Sequence, residues 1–93
     1  MDIIIFGAGK KGVEIALFAM ECKLNVVAFI DNNINLKGKT YCNIEVIHPL
    51  DKCLYKINNL PIFIAVIDIH QAVLIRFQLT GLGFSDIYDL WKF

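Results

Sequence analysis

Net charge is missing from this chain: nine Lys and Arg balance nine Asp and Glu over 93 residues. That leaves no electrostatic argument for a nucleic-acid partner. No apolar run approaches the roughly 20 residues a membrane helix needs, and no signal peptide precedes the first apolar run, so a cytoplasmic protein without a membrane span is expected. Cysteine is sparse and odd in number. Cys22, Cys42 and Cys53 lack the close spacing of a metal site and suit a reducing compartment as ordinary thiols. Internal repeats and low-complexity segments are absent. No nucleophile–base pair, carboxylate pair or metal cluster assembles from the sequence, so no catalytic and no metal residue is assigned. Asp2, Glu14, Glu21, Asp51, Asp86 and Asp89 read as solvated or capping charges.

Apolar residues, by contrast, are plentiful. They make up 57% of the chain, against about 45–50% in a usual soluble domain. Parallel strands covered on both faces raise such a count, and so does apolar surface kept for a partner subunit or a missing domain. The length suits one domain with a single core.

The stretch Met1 to Gly12 organises the rest. Ile3-Ile4-Ile5-Phe6 runs into Gly7-Ala8-Gly9-Lys10-Lys11-Gly12, a G-x-G-x-x-G turn between a strand and a helix. This is the phosphate-binding opening of a Rossmann-type unit. Gly7 allows the tight turn, Gly9 lets backbone approach a pyrophosphate, and Gly12 lets the helix pack closely on the sheet. Backbone N–H groups of the first helical turn, around Ala8 to Gly12, then face the anion. Lys10 and Lys11 oppose the helix dipole there; they serve a visiting anion or are simply solvated.

Downstream, the first helix is expected from Lys10 to about Cys22, with Val13, Leu17 and Met20 facing the sheet beside Ala16. Asn25 is the expected left-handed residue of the turn that follows. Val26 to Ile30 makes a second, central parallel strand. Asp31 ends it, 19 residues beyond Gly12, where a carboxylate accepts ribose hydroxyls and repels a 2′-phosphate. Asp31-Asn32-Asn33 also reads as a plain polar turn. From Asn32 to Thr40 the chain looks irregular, turning at Gly38, with no crossover helix before the strand Ile44–Ile47. His48-Pro49 stops that strand, and Pro49 to about Asn58 suits a helix with Leu50, Leu54 and Ile57 on one side. His48 stands at a loop, where a ligand role competes with a structural one.

Ile62 to Ile67 is the longest β-type run. Asp68 follows as an N-cap with Gln71 three residues on, opening a helix to about Leu82 whose apolar row is Ala72, Ile75 and Leu79. Gly81 or Gly83 ends it. Asp68, His70 and Gln71 lie at this second strand-to-helix crossing as candidates to touch a ligand. Phe84 to Tyr88 is a last strand, and the tail through Trp91 and Phe93 would fray unless docked. The expected fold is α/β: a three-layer, Rossmann-like, open and mostly parallel sheet of about five strands in order 3-2-1-4-5, with the ligand crevice where the order reverses.

The pieces IIIFGAGKKG, VVAFIDNN, KGKTYCNIEVIHP and QLTGLGFSDIYDL together resemble the small Rossmann-like N-terminal domain of PglD-type bacterial sugar O-acyltransferases. Similar modules precede some glycan-related methyltransferases and glycosyltransferases. The resemblance implies a domain holding the nucleotide of a UDP-amino sugar, with Gly7, Gly9 and Gly12 at the phosphate and Asp31 at the nucleoside. Acetyl transfer in that family belongs to a downstream β-helix, of which this sequence shows no hexapeptide repeat. A second departure is Ile67-Asp68, where those enzymes tend to have glycine.

The expected role is therefore a nucleotide or UDP-sugar binding module of surface-carbohydrate biosynthesis, not catalytic alone and a piece or partner of a larger enzyme. Its expected ligand-binding residues are Gly7, Ala8, Gly9, Lys10, Lys11, Gly12, Asp31, Asn32, Asp68 and His70. Two alternatives stand beside it: an NAD-binding domain of an oxidoreductase, which would need a second mononucleotide half, and a docking or homodimerisation module without ligand.

Overall fold

The computed structural model describes residues 1–89; the aromatic tail expected through Trp91 and Phe93 lies outside them. In chain order the elements are β1 (Asp2–Phe6), α1 (Lys10–Glu21), β2 (Asn25–Ile30), β3 (Thr40–Tyr41), β4 (Ile44–Ile47), β5 (Ile62–Ile64), α2 (Ile69–Gly81) and β6 (Ile87–Asp89). Short 3₁₀ turns occupy Ile34–Leu36 and Lys52–Lys56. The sheet has six strands in the order β3-β4-β2-β1-β5-β6. Every pairing is parallel except β3 with β4. The five parallel strands take the expected order, and the sixth is an addition at the edge.

That added strand comes from a two-residue hairpin. Tyr41 pairs with Ile44, and Cys42 (φ 54°) and Asn43 (φ 63°) both adopt left-handed backbone, the geometry of a type I′ turn. Gly38, at φ 83°, donates to the Val46 carbonyl at 2.9 Å and sets the hairpin against the sheet.

Two apolar layers sandwich the strands. Ile3, Ile5, Val26, Phe29 and Val46 pack under α1, while Ile4, Phe6, Ile30, Ile62 and Ile64 pack under α2 and Leu54. Alternation along β1 divides its side chains between the layers. Along β2 a register shift opposite Ile3/Ile4 lets Val26 and Phe29, three apart, face the same side.

Helix α1 turns a different face to the sheet from the one its large residues suggest. Gly12, Ala16 and Ala19 are its buried residues, whereas Leu17, Phe18 and Met20 are exposed. The cause is distance. A β-carbon on Gly12 would stand 1.8 Å from the Gly7 carbonyl oxygen, so the helix approaches the strand end along its small residues. Its C-terminus closes with Lys23, not Asn25, in the left-handed conformation at φ 66°. Lys23 N–H bonds the Met20 carbonyl and Leu24 N–H the Ala19 carbonyl, each at 3.0 Å, which is a Schellman closure. Asn25 already belongs to β2.

The α2 helix follows expectation. Asp68 Oδ1 accepts from the Gln71 N–H at 3.2 Å, and Ala72, Ile75 and Leu79 are its buried row. Gly83, at φ 97°, completes the same closure, with Phe84 N–H on the Leu79 carbonyl at 3.0 Å. The strand before it is shorter than its apolar run. β5 stops at Ile64 because its neighbour β1 ends at Phe6; Ala65 N–H takes the Phe6 carbonyl at 2.8 Å, and Ile67 is left exposed.

Residues Pro49 to Asn58 do not form an α-helix. The His48 N–H donates to Asp51 Oδ2 at 3.0 Å and the Leu50 N–H to His48 Nδ1 at 3.1 Å. These side-chain bonds offer the backbone a turn instead. Leu54 is buried but Leu50 is exposed. The last strand starts later than expected, at Ile87, and Phe84 fills the core ahead of it. Asp89 is no solvated charge. It is buried and receives Arg76 Nε at 2.9 Å and Nη2 at 2.6 Å.

Candidate functional site

The glycine turn sits where β1 leaves the sheet, flanked by β2 on one side and β5 on the other. It is fixed from both. Gly7 N–H bonds the Ile30 carbonyl at 2.7 Å, and Ala8 N–H bonds Asp31 Oδ2 at 2.9 Å. On the β5 side, Ala65 packs its β-carbon 3.6 Å from where one on Gly7 would be.

Three glycines stand here for three different reasons. Gly7 has φ +108°, a conformation that side chains rarely adopt. Gly12 has no room, as described. Gly9 is constrained by neither: its φ of −82° and ψ of −165° are ordinary extended backbone, and a β-carbon on it would meet nothing within 4 Å.

Gly9 is also the N-cap of α1. The helix start carries no side-chain cap and no acidic residue in its first turn. The first helical hydrogen bond runs from Val13 N–H to the Gly9 carbonyl at 3.0 Å, so the N–H groups of Lys10, Lys11 and Gly12 have no acceptor within the helix. Lys10 is exposed. Lys11, also exposed, reaches Glu14 at 3.3 Å, a surface pair that contributes little.

Asp31 lies half-buried beside the turn. Both its oxygens already accept backbone amides: Oδ2 from Ala8, and Oδ1 from Asn33 N–H at 2.8 Å. A carboxylate has about four acceptor positions, so each oxygen retains capacity for a hydroxyl donor. Asn32 points elsewhere. Its amide exchanges two hydrogen bonds with Gln78 of α2, at 3.1 and 2.8 Å. Asp68 serves as the α2 cap and His70 is exposed in the first turn of α2; both stand past the end of β5, one strand over from the glycine turn. His48 is half-buried and holds the Leu50 amide.

Sequence reasoning missed three parts of this arrangement. Ala65 supports the turn, but a lone alanine carries no signal. Gln78 holds Asn32 from 46 residues away. The inward bond from Asp31 to Ala8 joins two motif residues whose roles were assigned separately.

Two concavities lie away from the motif. One, of about 220 Å³, is lined by Val27, Ala28, Ile47 and Ile57 with Glu45 and Lys56. The other, of about 230 Å³, is wholly apolar and is lined by Ile3, Ile15, Phe18, Leu24 and Phe63. Neither includes a glycine-turn residue. Among the described residues no cluster of three His, Cys, Asp or Glu could hold a metal ion. No helix among them is long and apolar enough to cross a membrane.

Neither a family model nor a curated protein matches this sequence. Solved structures do match the fold. The chain is similar to UDP-D-quinovosamine 4-dehydrogenase from Vibrio fischeri, with a TM-score of 0.73 at 22% identity, over 95% of this chain and 75% of that one. It is also similar to RSP, a Rex-family repressor, with a TM-score of 0.75 at 24% identity, over 95% of this chain and 44% of that one. The complex of RSP with beta-NADH matches with a TM-score of 0.71 at 22% identity, again over 44% of its chain. The chain thus spans less than half the length of the repressor. Its fold is a Rossmann-like α/β sandwich, as the glycine turn implied.

Proposed function

We propose that this chain is a nucleotide-binding module whose ligand carries a pyrophosphate and an unphosphorylated ribose, with NAD(H) the first candidate. The observation that carries this is Gly9. The fold requires Gly7 for its φ and Gly12 for its contact, yet nothing in the fold requires Gly9. Close approach of a ligand favours glycine over the other N-cap residues at a helix start whose amides no side chain caps. The ribose hydroxyls then meet Asp31, and its charge disfavours a 2′-phosphate. Beyond the pyrophosphate, the ligand extends toward β5 and the start of α2, where Asp68 and His70 stand.

NAD(H) moves ahead of the UDP-sugar first expected because two kinds of support converge on it. The strand order reverses beside the glycine turn, as dinucleotide sites require, and RSP, with the same fold, was solved with beta-NADH. A UDP-sugar presents the same pyrophosphate and ribose, and the similarity to a UDP-sugar dehydrogenase keeps it as the second reading.

Thermal unfolding with and without NADH, NADPH and a UDP-sugar tests the proposal. NADH at 100 times its dissociation constant should add about 2.7 kcal/mol of stability, with NADPH weaker. Gly9→Val should lower the ligand-free stability by no more than about 1 kcal/mol, the difference between cap residues, while losing the ligand response. Preference for the UDP-sugar would promote the second reading. A wild-type chain that responds to none of the three overturns both.

A further inference from the structure

Asp31 does more in this molecule than end a strand beside a ribose site. Its Oδ2 accepts the amide of Ala8, the residue between the two glycines of the turn, at 2.9 Å. Its Oδ1 accepts the Asn33 amide at 2.8 Å. The neighbouring Gly7 amide is tied to Ile30, the residue before Asp31, at 2.7 Å. Two successive amides of the turn are therefore anchored to two successive residues at the end of β2, the first to a carbonyl and the second to a carboxylate. The next residue is Gly9, where no such bond is made by a side chain and the ligand would begin.

We infer that Asp31 is a positioning residue for the phosphate turn: by holding the Ala8 amide it orients the Gly9–Gly12 amides, so that binding of a pyrophosphate depends on this carboxylate even when the ligand has no ribose. The inference rests on the nucleotide reading above and adds to it a coupling between the two halves of the site. It also predicts a sign. Removing a negative charge beside an anion site should, by relief of Coulomb repulsion alone, tighten anion binding. Loss of the clamp should weaken it, because a charge-assisted hydrogen bond that shapes the site is gone.

The test uses inorganic pyrophosphate as probe, with binding followed by NMR at the amides of Gly9 to Gly12 in the intact chain. Asp31→Ala should weaken pyrophosphate about tenfold, the order expected for a lost bond to a charged acceptor. Asp31→Asn keeps one oxygen able to receive the Ala8 N–H and should recover part of the loss, although it carries no charge. In the ligand-free protein, hydrogen exchange at Ala8 should accelerate in Asp31→Ala while the amides of β1 stay protected, showing that the fold is intact. Pyrophosphate binding to Asp31→Ala that equals or exceeds wild type overturns the inference, as does an Ala8 amide that exchanges at the same rate in both proteins. If wild type binds no pyrophosphate and no nucleotide, the nucleotide reading fails instead, and the Ala8 exchange rates still decide whether the clamp exists.

Discussion

Two single residues show how backbone conformation sets the limits of this fold, and they predict effects of opposite sign. Gly12→Ala drives a β-carbon into the Gly7 carbonyl, at 1.8 Å in the unrelaxed geometry. Helix and strand end must separate, at a cost of about 3 kcal/mol, the upper end for overpacking. Lys23 is the reverse case. It occupies a left-handed position at φ 66° that glycine fills without penalty, as Gly83 does at the end of α2. The left-handed conformation costs an ordinary residue about 1–2 kcal/mol, and glycine returns part of that gain through its looser unfolded chain. Lys23→Gly should therefore raise stability by about 0.5–1 kcal/mol. Urea unfolding of the two variants reads both effects.

Side chains that join loops add a smaller, pH-dependent share to what the sheet supplies. Lys37 precedes the hairpin and Asp51 follows it, and their ion pair closes at 2.6 Å. The Lys37 ammonium, with the His48 N–H, holds the Asp51 carboxyl below its ordinary 3.8, and Asp51 raises Lys37 above 10.5. Asp51 is the group depressed on folding, so its contribution is complete above pH 3.8 and is lost as the pH falls through its lower folded value. Lys37 is raised, so its share is complete below pH 10.5 and is lost as the pH climbs through its higher folded value. Lys37→Met should make the acid limb of a stability–pH profile shallower, leaving the His48 N–H as the main cause of what remains of the Asp51 share. An unchanged acid limb would show that the pair does not hold in solution.

This ion pair and its hairpin also mark where sequence reading stops. β1, β2 and β5 were legible as short apolar runs bounded by turn residues, β4 and β6 less sharply because Glu45 and Asp89 interrupt them, and α2 was legible from Asp68, Gln71 and its apolar row. The hairpin was not, since Cys42 gives no left-handed signal and a two-residue strand has no periodicity. The face of α1 was misjudged for a physical reason: periodicity ranks residues by size, whereas Gly12 selects the small ones. At the candidate site, the spacing anticipated that Gly7, Gly9 and Gly12 lie at the passage from β1 to α1 and Asp31 at the end of β2. The direction of the Asp31 oxygens, and the pairing of Asn32 with Gln78, depend on three-dimensional closure that spacing does not encode.

At the scale of the molecule, one sheet covered on both sides carries the stability. Phe29 is fully buried in the α1-side layer and meets Tyr41 edge to face, with ring centres 6.4 Å apart. Phe29→Ala should cost about 3–5 kcal/mol. Native domains hold only about 5–15 kcal/mol in total, so this one change takes much of the reserve and should show as a large fall in the urea midpoint. Leu17 and Phe18 of α1, both exposed, have no comparable part in that reserve.

The position of β1 has a consequence for how the chain comes into being. β1, made before every other strand of this sheet, becomes an inner strand, with β2 on one side and β5 on the other. Its Ile4 is not joined to Ile62 until the intervening elements, α1 and β2 to β4, have been made. At about 5–20 residues per second, synthesis imposes a wait of several seconds on that pairing. During it, Ile3, Ile4 and Ile5 have one edge in place at most. Parallel pairings between such distant segments also form slowly in their own right. The nascent chain thus exposes its most apolar strand for longest, and that is the interval in which a chaperone would meet it.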